Sequence, residues 1–429
     1  MPGPFAGITV VEFGQFVVVP FCSQLLADSG ARVIKVEPLR GDSYRAGPGP
    51  LAPGFTRQFL IKNRGKESIS LDLGHPDAAP VIEDLIKLAD VVLVNLSPSA
   101  VKRRGLDSER VAGANPQAIY GAVTAFGQVG PEAPLPGMDV VVQARSGLMS
   151  SLAAENDGVP HHSEVQVADY SSSLLLYGGI AAALYARTTT GKGQRVDVSL
   201  LGGALALQNN SLGHHVAEDA WREEFVNDTL PAMRRAGATR AEIESERLSH
   251  RADPPIHTAH YRAFATKDGH LAVGAGSPNT RGRLAKIVGI DEALALSDPA
   301  VFGAKVKDAL LARTNDEWVE LLRGADIPVA PVRHIEEMFF DEHAIAEGLI
   351  AEYDHPVVGK YRGFGVPIRM SETPLGGSPP APSFAAHTAS VLSELGYTEV
   401  HINALAESGA VHVGGDSESS PSPSTTIEE

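Results

Sequence analysis

The stretch Ile8-Thr-Val-Val-Glu-Phe-Gly-Gln-Phe-Val-Val-Val-Pro-Phe-Cys-Ser-Gln-Leu-Leu-Ala-Asp-Ser-Gly-Ala-Arg-Val-Ile-Lys-Val-Glu37 decides the fold. Ile8–Phe13 is a short apolar run of strand length, and Gly14, Gln15 and Phe16 break it. Pro20 to Asp28 reads as a helix with a proline in its first turn. Gly30 punctuates the helix end, and Ala31–Glu37 is a second strand. This strand, loop, helix, strand order is a βαβ unit.

Outward from that unit the pattern repeats. Ser68–Leu71 is a candidate strand, Pro76–Leu88 a helix, Val91–Val94 a buried strand, and Ala118–Thr124 and Arg195–Ser199 further strands. Such alternation predicts an α/β fold with a parallel sheet covered by helices on both faces. Ligands of such sheets bind beyond the carboxyl ends of the strands. Gln15, Phe16, Asn95, Leu96 and Phe126 all follow strands. No Gly-x-Gly-x-x-Gly turn follows the first strand, which argues against a nicotinamide dehydrogenase.

Asp169 to Arg187 reads as a long helix, nonpolar nearly all round and therefore buried. Residues 213–255 are charged and predict exposed helices joining two domains. From Ile256 the composition changes. Tyr261–Phe264 and His270–Val273 form a predicted hairpin, and helices follow around Thr280–Val288 and Glu317–Arg323 in a small α+β domain. A last helix is expected near His387–Leu395. The predicted organisation is a large domain over 1–212, a charged helical linker or insertion over 213–255, a small domain over 256–332, and a return to the large domain over 333–412. Residues 413–429 form an acidic, low-complexity tail, too polar to offset its ordering entropy and expected to be disordered.

The chain has 429 residues and a formal charge of −16, with 43 glycines and 30 prolines for many tight turns. Two domains are the natural expectation at this length. Nonspecific nucleic-acid binding needs a basic face, so it is not expected. An acidic chain can still hold a polyanion through local Lys and Arg, backbone N–H groups and helix N-termini. Cys22 is the single cysteine, which excludes an intrachain disulfide and a cysteine-based metal site. It lies in an apolar helix and reads as a core residue rather than a reactive thiol. The N-terminus lacks a signal-peptide pattern. The longest uncharged apolar stretch, Leu174–Ala186, is interrupted by Gly178 and Gly179 and reads as too short to span a bilayer. The expectation is a cytoplasmic protein with neither a membrane nor a nucleic-acid partner.

Several segments together resemble the class III (CaiB/BaiF-type) CoA-transferase family, which includes formyl-CoA transferase and α-methylacyl-CoA racemase relatives. They are Val10-Val-Glu-Phe-Gly14, Pro20 to Ala31, Val33-Ile-Lys-Val-Glu-Pro38 with Gly41-Asp42, and Asn63-Arg-Gly-Lys-Glu-Ser-Ile-Ser-Leu-Asp-Leu73. Ala89 to Asn95 leading to Arg103-Arg-Gly-Leu106, Gly137-Met-Asp139, Val167-Ala-Asp169, Gly191 to Leu200, and Val366 to Pro374 continue the likeness. It spans roughly residues 5–412. The stretch 216–255 and the tail do not match. The resemblance implies a Rossmann-like large domain, a small domain, and an interlocked homodimer with its active site at the interface.

Asp169 has two readings. Asp is a favoured N-cap, and that role alone would explain it ahead of an apolar helix. The resemblance instead places it on the family's catalytic aspartate, a carboxylate that attacks the thioester of an acyl-CoA. The helix N-terminus would stabilise the carboxylate and an oxyanion beside it. By resemblance Gln15 and Phe16 border the site mouth. Asn95, Leu96 and Arg103 match CoA-contacting positions, and Lys66 and Leu71 lie toward the adenine. Leu96 replaces a common aromatic, so stacking there is not implied. Arg103 suits phosphate through bidentate pairing; Lys66, Lys102 and Arg104 read equally as surface charge, and Lys35 and Glu37 as pins of strand ends. Gly274 and Gly276 are candidates for the family's mobile glycine-rich lid, or for a plain turn after a strand. No tightly bound cofactor or metal is implied. CoA and acyl-CoA enter as substrates, with carboxylic acids as partners.

Two alternatives stay open. An α-methylacyl-CoA racemase needs an acid/base pair. Its histidine position is Met138 here, which carries no proton, while His161 and His162 sit in a polar loop. A catalytically silent CoA-binding protein would bind without turnover.

Overall fold

The computed structural model describes residues 2–152, 155–156, 158–250 and 259–414. The chain forms two compact units, one of Met1–Gly213 with Glu342–Glu429 and one of His214–Asp341. The charged segment from 214 therefore falls in the second unit. The tail from 415 onward lies outside the described residues.

The first unit is built on a seven-stranded sheet. In spatial order its strands are Arg195–Ser199, Ile119–Thr124, Val91–Val94, β1 (Thr9–Phe13), β2 (Arg32–Glu37), Lys66–Leu71 and Val411–His412. The first six run parallel; the last pairs antiparallel with Lys66–Leu71. Helix α1 (Val18–Asp28) joins β1 to β2. The fold is thus α/β with a mainly parallel sheet and small antiparallel sheets elsewhere.

Strand alternation splits the core in two. Val11, Ile34, Ile69 and Val92 face the side covered by Ala78–Leu88 and Thr388–Glu394. Val10, Val33, Leu93 and Val123 face the side covered by α1 and the long helix Val167–Thr190, where Cys22 is fully buried. Period-two side chains put successive residues on opposite faces, so both faces of these strands need apolar cover. That is why Val91–Val94 is an unbroken run of Val and Leu, while β1 and β2 set Glu12, Lys35 and Glu37 among their Val and Ile residues.

Several expectations are corrected. The long helix starts at Val167, not Asp169, and runs 24 residues to Thr190. By length and composition alone it is apolar enough to cross a membrane. The core helix of a folded domain passes the same test, and Leu176, Ile180, Ala183 and Leu184 pack into the core. Its opposite side is not buried as the sequence suggested: Leu174 is 55% exposed and Tyr185 77%. The return segment carries two elements the composition hid, the hairpin Ile350–His355/Gly359–Phe364 and the helix Glu399–Glu407.

The second unit holds the sheet Tyr261–Ala265, His270–Gly274, Val329–Pro331. Its core centres on Phe264, Leu271, Phe302, Trp318 and Leu322.

Candidate active site

Helix Val167–Thr190 places Asp169 in its first turn, at the carboxyl edge of the large sheet. The residue before the helix, Gln166, makes no side-chain cap. The capping is done from outside: Asp139 Oδ1 accepts from the backbone N–H groups of Ala168 (2.8 Å) and Asp169 (3.0 Å). Asp139 begins the helix Asp139–Arg145, and Gln143, one turn on, donates its amide to Asp139 while its carbonyl oxygen accepts from Ser163 N–H at 2.9 Å. The plain-cap reading of Asp169 is therefore wrong, because a second carboxylate satisfies the amides that capping serves. The same observation corrects the expectation that those amides would steady an oxyanion; Asp139 already occupies them.

The Asp169 carboxyl faces a cavity of about 440 Å³ whose wall includes Phe16, Asn95, Leu96, Met138 and Asp139. Burial, and then the Asp139 charge, push its pKa up to about 7, while Lys62 pulls in the opposite direction. A carboxyl held there is part ionised and part protonated near neutrality. Three more groups complete its surroundings. Tyr44 meets Phe16 edge-on at 5.6 Å, and Tyr170 meets Phe21 edge-on at 5.0 Å. Lys62 Nζ lies 5.3 Å from the Tyr44 ring and 5.8 Å from the Tyr170 ring.

Asn95 works mainly on the turn after β1. Its Oδ1 accepts from Gln15 N–H at 3.1 Å and its Nδ2 donates to Gln15 O at 2.8 Å. The Gln15 side chain accepts in turn from Ser43 Oγ at 3.0 Å. This lock holds Phe16 at φ 69°, a left-handed conformation that costs a non-glycine residue free energy and tends to occur at functional sites. Arg103 stands exposed at the end of helix Pro98–Arg103, whose first residues Pro98 and Ser99 line the cavity.

Two expected contacts are corrected. Lys66 is buried and its ammonium is spent: Nζ donates to Glu12 Oε2 at 2.8 Å, Pro20 O at 2.9 Å and Asn63 Oδ1 at 2.9 Å. It is a structural cation, neither surface charge nor a phosphate ligand. The Leu71 side chain is buried in the core, so it offers no contact surface. Gly274 is a strand residue, its N–H bonded to Pro328 O at 2.8 Å, so any loop begins after it. Gly276 follows in the same second unit.

Sequence reasoning missed Asp139, Lys62, Tyr44 and Tyr170. Asp139 lay in a quoted motif without a role. Nothing in the local pattern distinguishes Lys62 from a solvated helix lysine.

Comparisons with known proteins extend this description. The family described as CoA-transferase family III matches residues 5–388. A succinate–glutarate CoA-transferase of Agrobacterium fabrum is 32% identical over 412 residues, covering 91% of this chain and 96% of its own length. A mouse succinyl-CoA:glutarate CoA-transferase is 29% identical, covering 95% and 90%. The crystal structure of a CaiB/BaiF family protein from Brucella suis superimposes with a TM-score of 0.71 at 27% identity, over 92% of this chain and all of that one.

Proposed function

This chain belongs to CoA-transferase family III, and from that premise we propose that Asp169 carries the transferred group while CoA passes from an acyl-CoA to a free carboxylic acid. One observation supports the reading above others: a desolvated carboxyl faces a 440 Å³ cavity at the carboxyl edge of the parallel sheet.

In the first step an Asp169 carboxylate oxygen attacks the thioester carbonyl carbon. The C–S bond breaks, leaving a mixed anhydride and CoA thiolate. The thiolate attacks the aspartyl carbonyl, expelling the donor acid as its carboxylate and leaving an aspartyl-CoA thioester. The acceptor carboxylate then attacks that thioester and releases CoA thiolate, which takes the new acyl group and frees Asp169. Every electron pair stays among carbonyl, carboxylate and sulfur, and the thioester energy is conserved. Water would hydrolyse both intermediates, so the apolar wall of Phe16, Val18, Leu96 and Met138 has a chemical purpose. Met138 beside Asp169 supplies no proton, which favours transfer over racemisation.

The two curated relatives are named for succinate or succinyl-CoA and glutarate, so short dicarboxylic acids head the list of acids. The test is incubation with a panel of acyl-CoA donors and free acids, followed by mass spectrometry. We expect new acyl-CoA species only when both partners are present. Formation of free CoA without any new thioester would sink the reading.

We further read a second copy of this chain as the cover for an apolar face. Val140 and Val141 on the helix after Met138 are 43% and 47% exposed, and Leu174, Leu175 and Tyr185 on the long helix are exposed as well. Exposed apolar side chains gathered on a surface mark interaction sites. Sedimentation should give twice the chain mass; a single-chain mass at micromolar concentration refutes it.

A further inference from the structure

We propose that Lys62 is the substrate-binding residue that pairs with a carboxylate of the acid substrate. The inference rests on the transfer reading above and deepens it by assigning the acid its counter-charge.

Lys62 sits in the helix Arg57–Asn63, whose first turn is capped by Thr56. Its side chain is buried, and its hydrogen-bond partner is Gln58 Oε1 at 2.6 Å. Two phenol rings, Tyr44 and Tyr170, flank the ammonium. Two carboxylates act on it, Asp169 and Asp42. Asp42 is already engaged, ion-paired to Lys35 at 2.8 Å and accepting from Tyr44 N–H. Asp169 is the reacting group. Among the described residues no carboxylate forms an ion pair with Lys62.

Its neighbours are different. Lys35, Lys66, Arg45 and Arg64 are buried beneath the same sheet edge, and each has a carboxylate within 2.9 Å. A buried ammonium without a counter-ion is costly to maintain. It becomes favourable when an anion arrives, and the reaction brings one in each half. A free acid enters as a carboxylate and meets the negative charge of Asp139 and, when ionised, of Asp169. A cation within reach of the cavity offsets the repulsion, and a charge-assisted pair in a desolvated site is strong.

The path is one ring deep. Phe16 is on the cavity wall, Tyr44 packs edge-on against it, and Tyr44 borders the Lys62 ammonium. Tyr44 is half-buried, and it is the ring that must swing for the two charges to meet.

The test compares wild type with Lys62→Met, which keeps length and apolar packing, and Lys62→Arg, which restores charge. CoA exchange is measured with an uncharged acyl-CoA donor and with the best mono- and dicarboxylic acceptors from the panel. In Lys62→Met the KM for the acid should rise about thirtyfold, roughly the worth of one charged hydrogen bond, with the KM for acyl-CoA within threefold of wild type. Lys62→Arg should recover most of the loss. A loss confined to dicarboxylic acids means that Lys62 holds the carboxylate that does not react; a loss for both kinds means that it holds the reacting one. An unchanged acid KM overturns the proposal, as does a parallel rise in both KM values with a lowered melting temperature. A wild-type protein that exchanges CoA with no acid removes the transfer reading itself, which separates the two failures.

Discussion

Asp169→Asn is expected to lower CoA exchange by on the order of 10⁴-fold or more, because the amide cannot form the acyl intermediate. Wild-type enzyme given acyl-CoA should yield an Asp169 hydroxamate with hydroxylamine, seen as a mass gain on the peptide holding that residue; the variant should not. The wild-type rate should climb with pH through about 7, where burial and Asp139 place the ionisation of Asp169, and then level off. The same shift has a stability consequence of defined sign. The folded pKa is raised from 3.8 to about 7, so the folded state binds more protons than the unfolded state between those values. Stability is therefore lost as pH rises through that window. Asparagine carries no such charge. The variant should match wild type near pH 4 and exceed it by on the order of 4 kcal/mol above pH 7, read as a widening gap in melting temperature. Residual exchange within tenfold of wild type would transfer the nucleophile's role elsewhere.

The second large effect concerns a buried charge cluster that touches no substrate. Glu12 lies at the centre of the sheet with no solvent exposure. Lys35 Nζ pairs with its Oε1 at 2.9 Å and Lys66 Nζ with its Oε2 at 2.8 Å, and Ser23 Oγ donates to the same Oε2. Burial alone would raise the Glu12 pKa; the two lysines outweigh it and hold the group below its ordinary value. The two lysines respond differently. Burial pulls Lys66 down to about 8 against the opposing pull of Glu12, whereas Lys35, with Asp42 and Glu37 as well, is held above its ordinary value. Lys66 thus depends on Glu12 far more than Lys35 does. Removing one partner of a buried pair typically costs about 3–5 kcal/mol because the other charge is stranded. Glu12→Ala should lower the melting temperature by about 10 °C. Glu12→Gln, which keeps shape and one acceptor, should lose less. An unaltered melting temperature in Glu12→Ala would show that the cluster is not under this strain.

The parallel sheet was legible because strands buried on both faces are largely apolar, and Val91–Val94 is apolar throughout. The hairpin Ile350–His355/Gly359–Phe364 was not, since charged Glu352, Asp354, Lys360 and Arg362 break up its apolar signal. Asp169 stood out through the family resemblance; its position ahead of an apolar helix suggested only a cap, a role that Asp139 takes instead. Asp139 and Lys62 were invisible for a common reason. Their importance comes from what folding brings beside them, across thirty residues for one and more than a hundred for the other, and no local periodicity encodes that. Lys35 and Lys66 show the reverse: charged residues within strands that read as pins or surface groups, yet lie buried around one carboxylate.

The edge strand Val411–His412 has a consequence for the order of synthesis. It completes a sheet whose next strand ends at Leu71, and Arg32 from the same side is gripped by Glu394 at 2.6 Å. A ribosome working at about 5–20 residues per second leaves that rim unclosed for roughly 20–70 s. Throughout that interval the nascent chain presents bare strand hydrogen-bonding groups to any other chain nearby. Chaperone occupancy during translation should concentrate there.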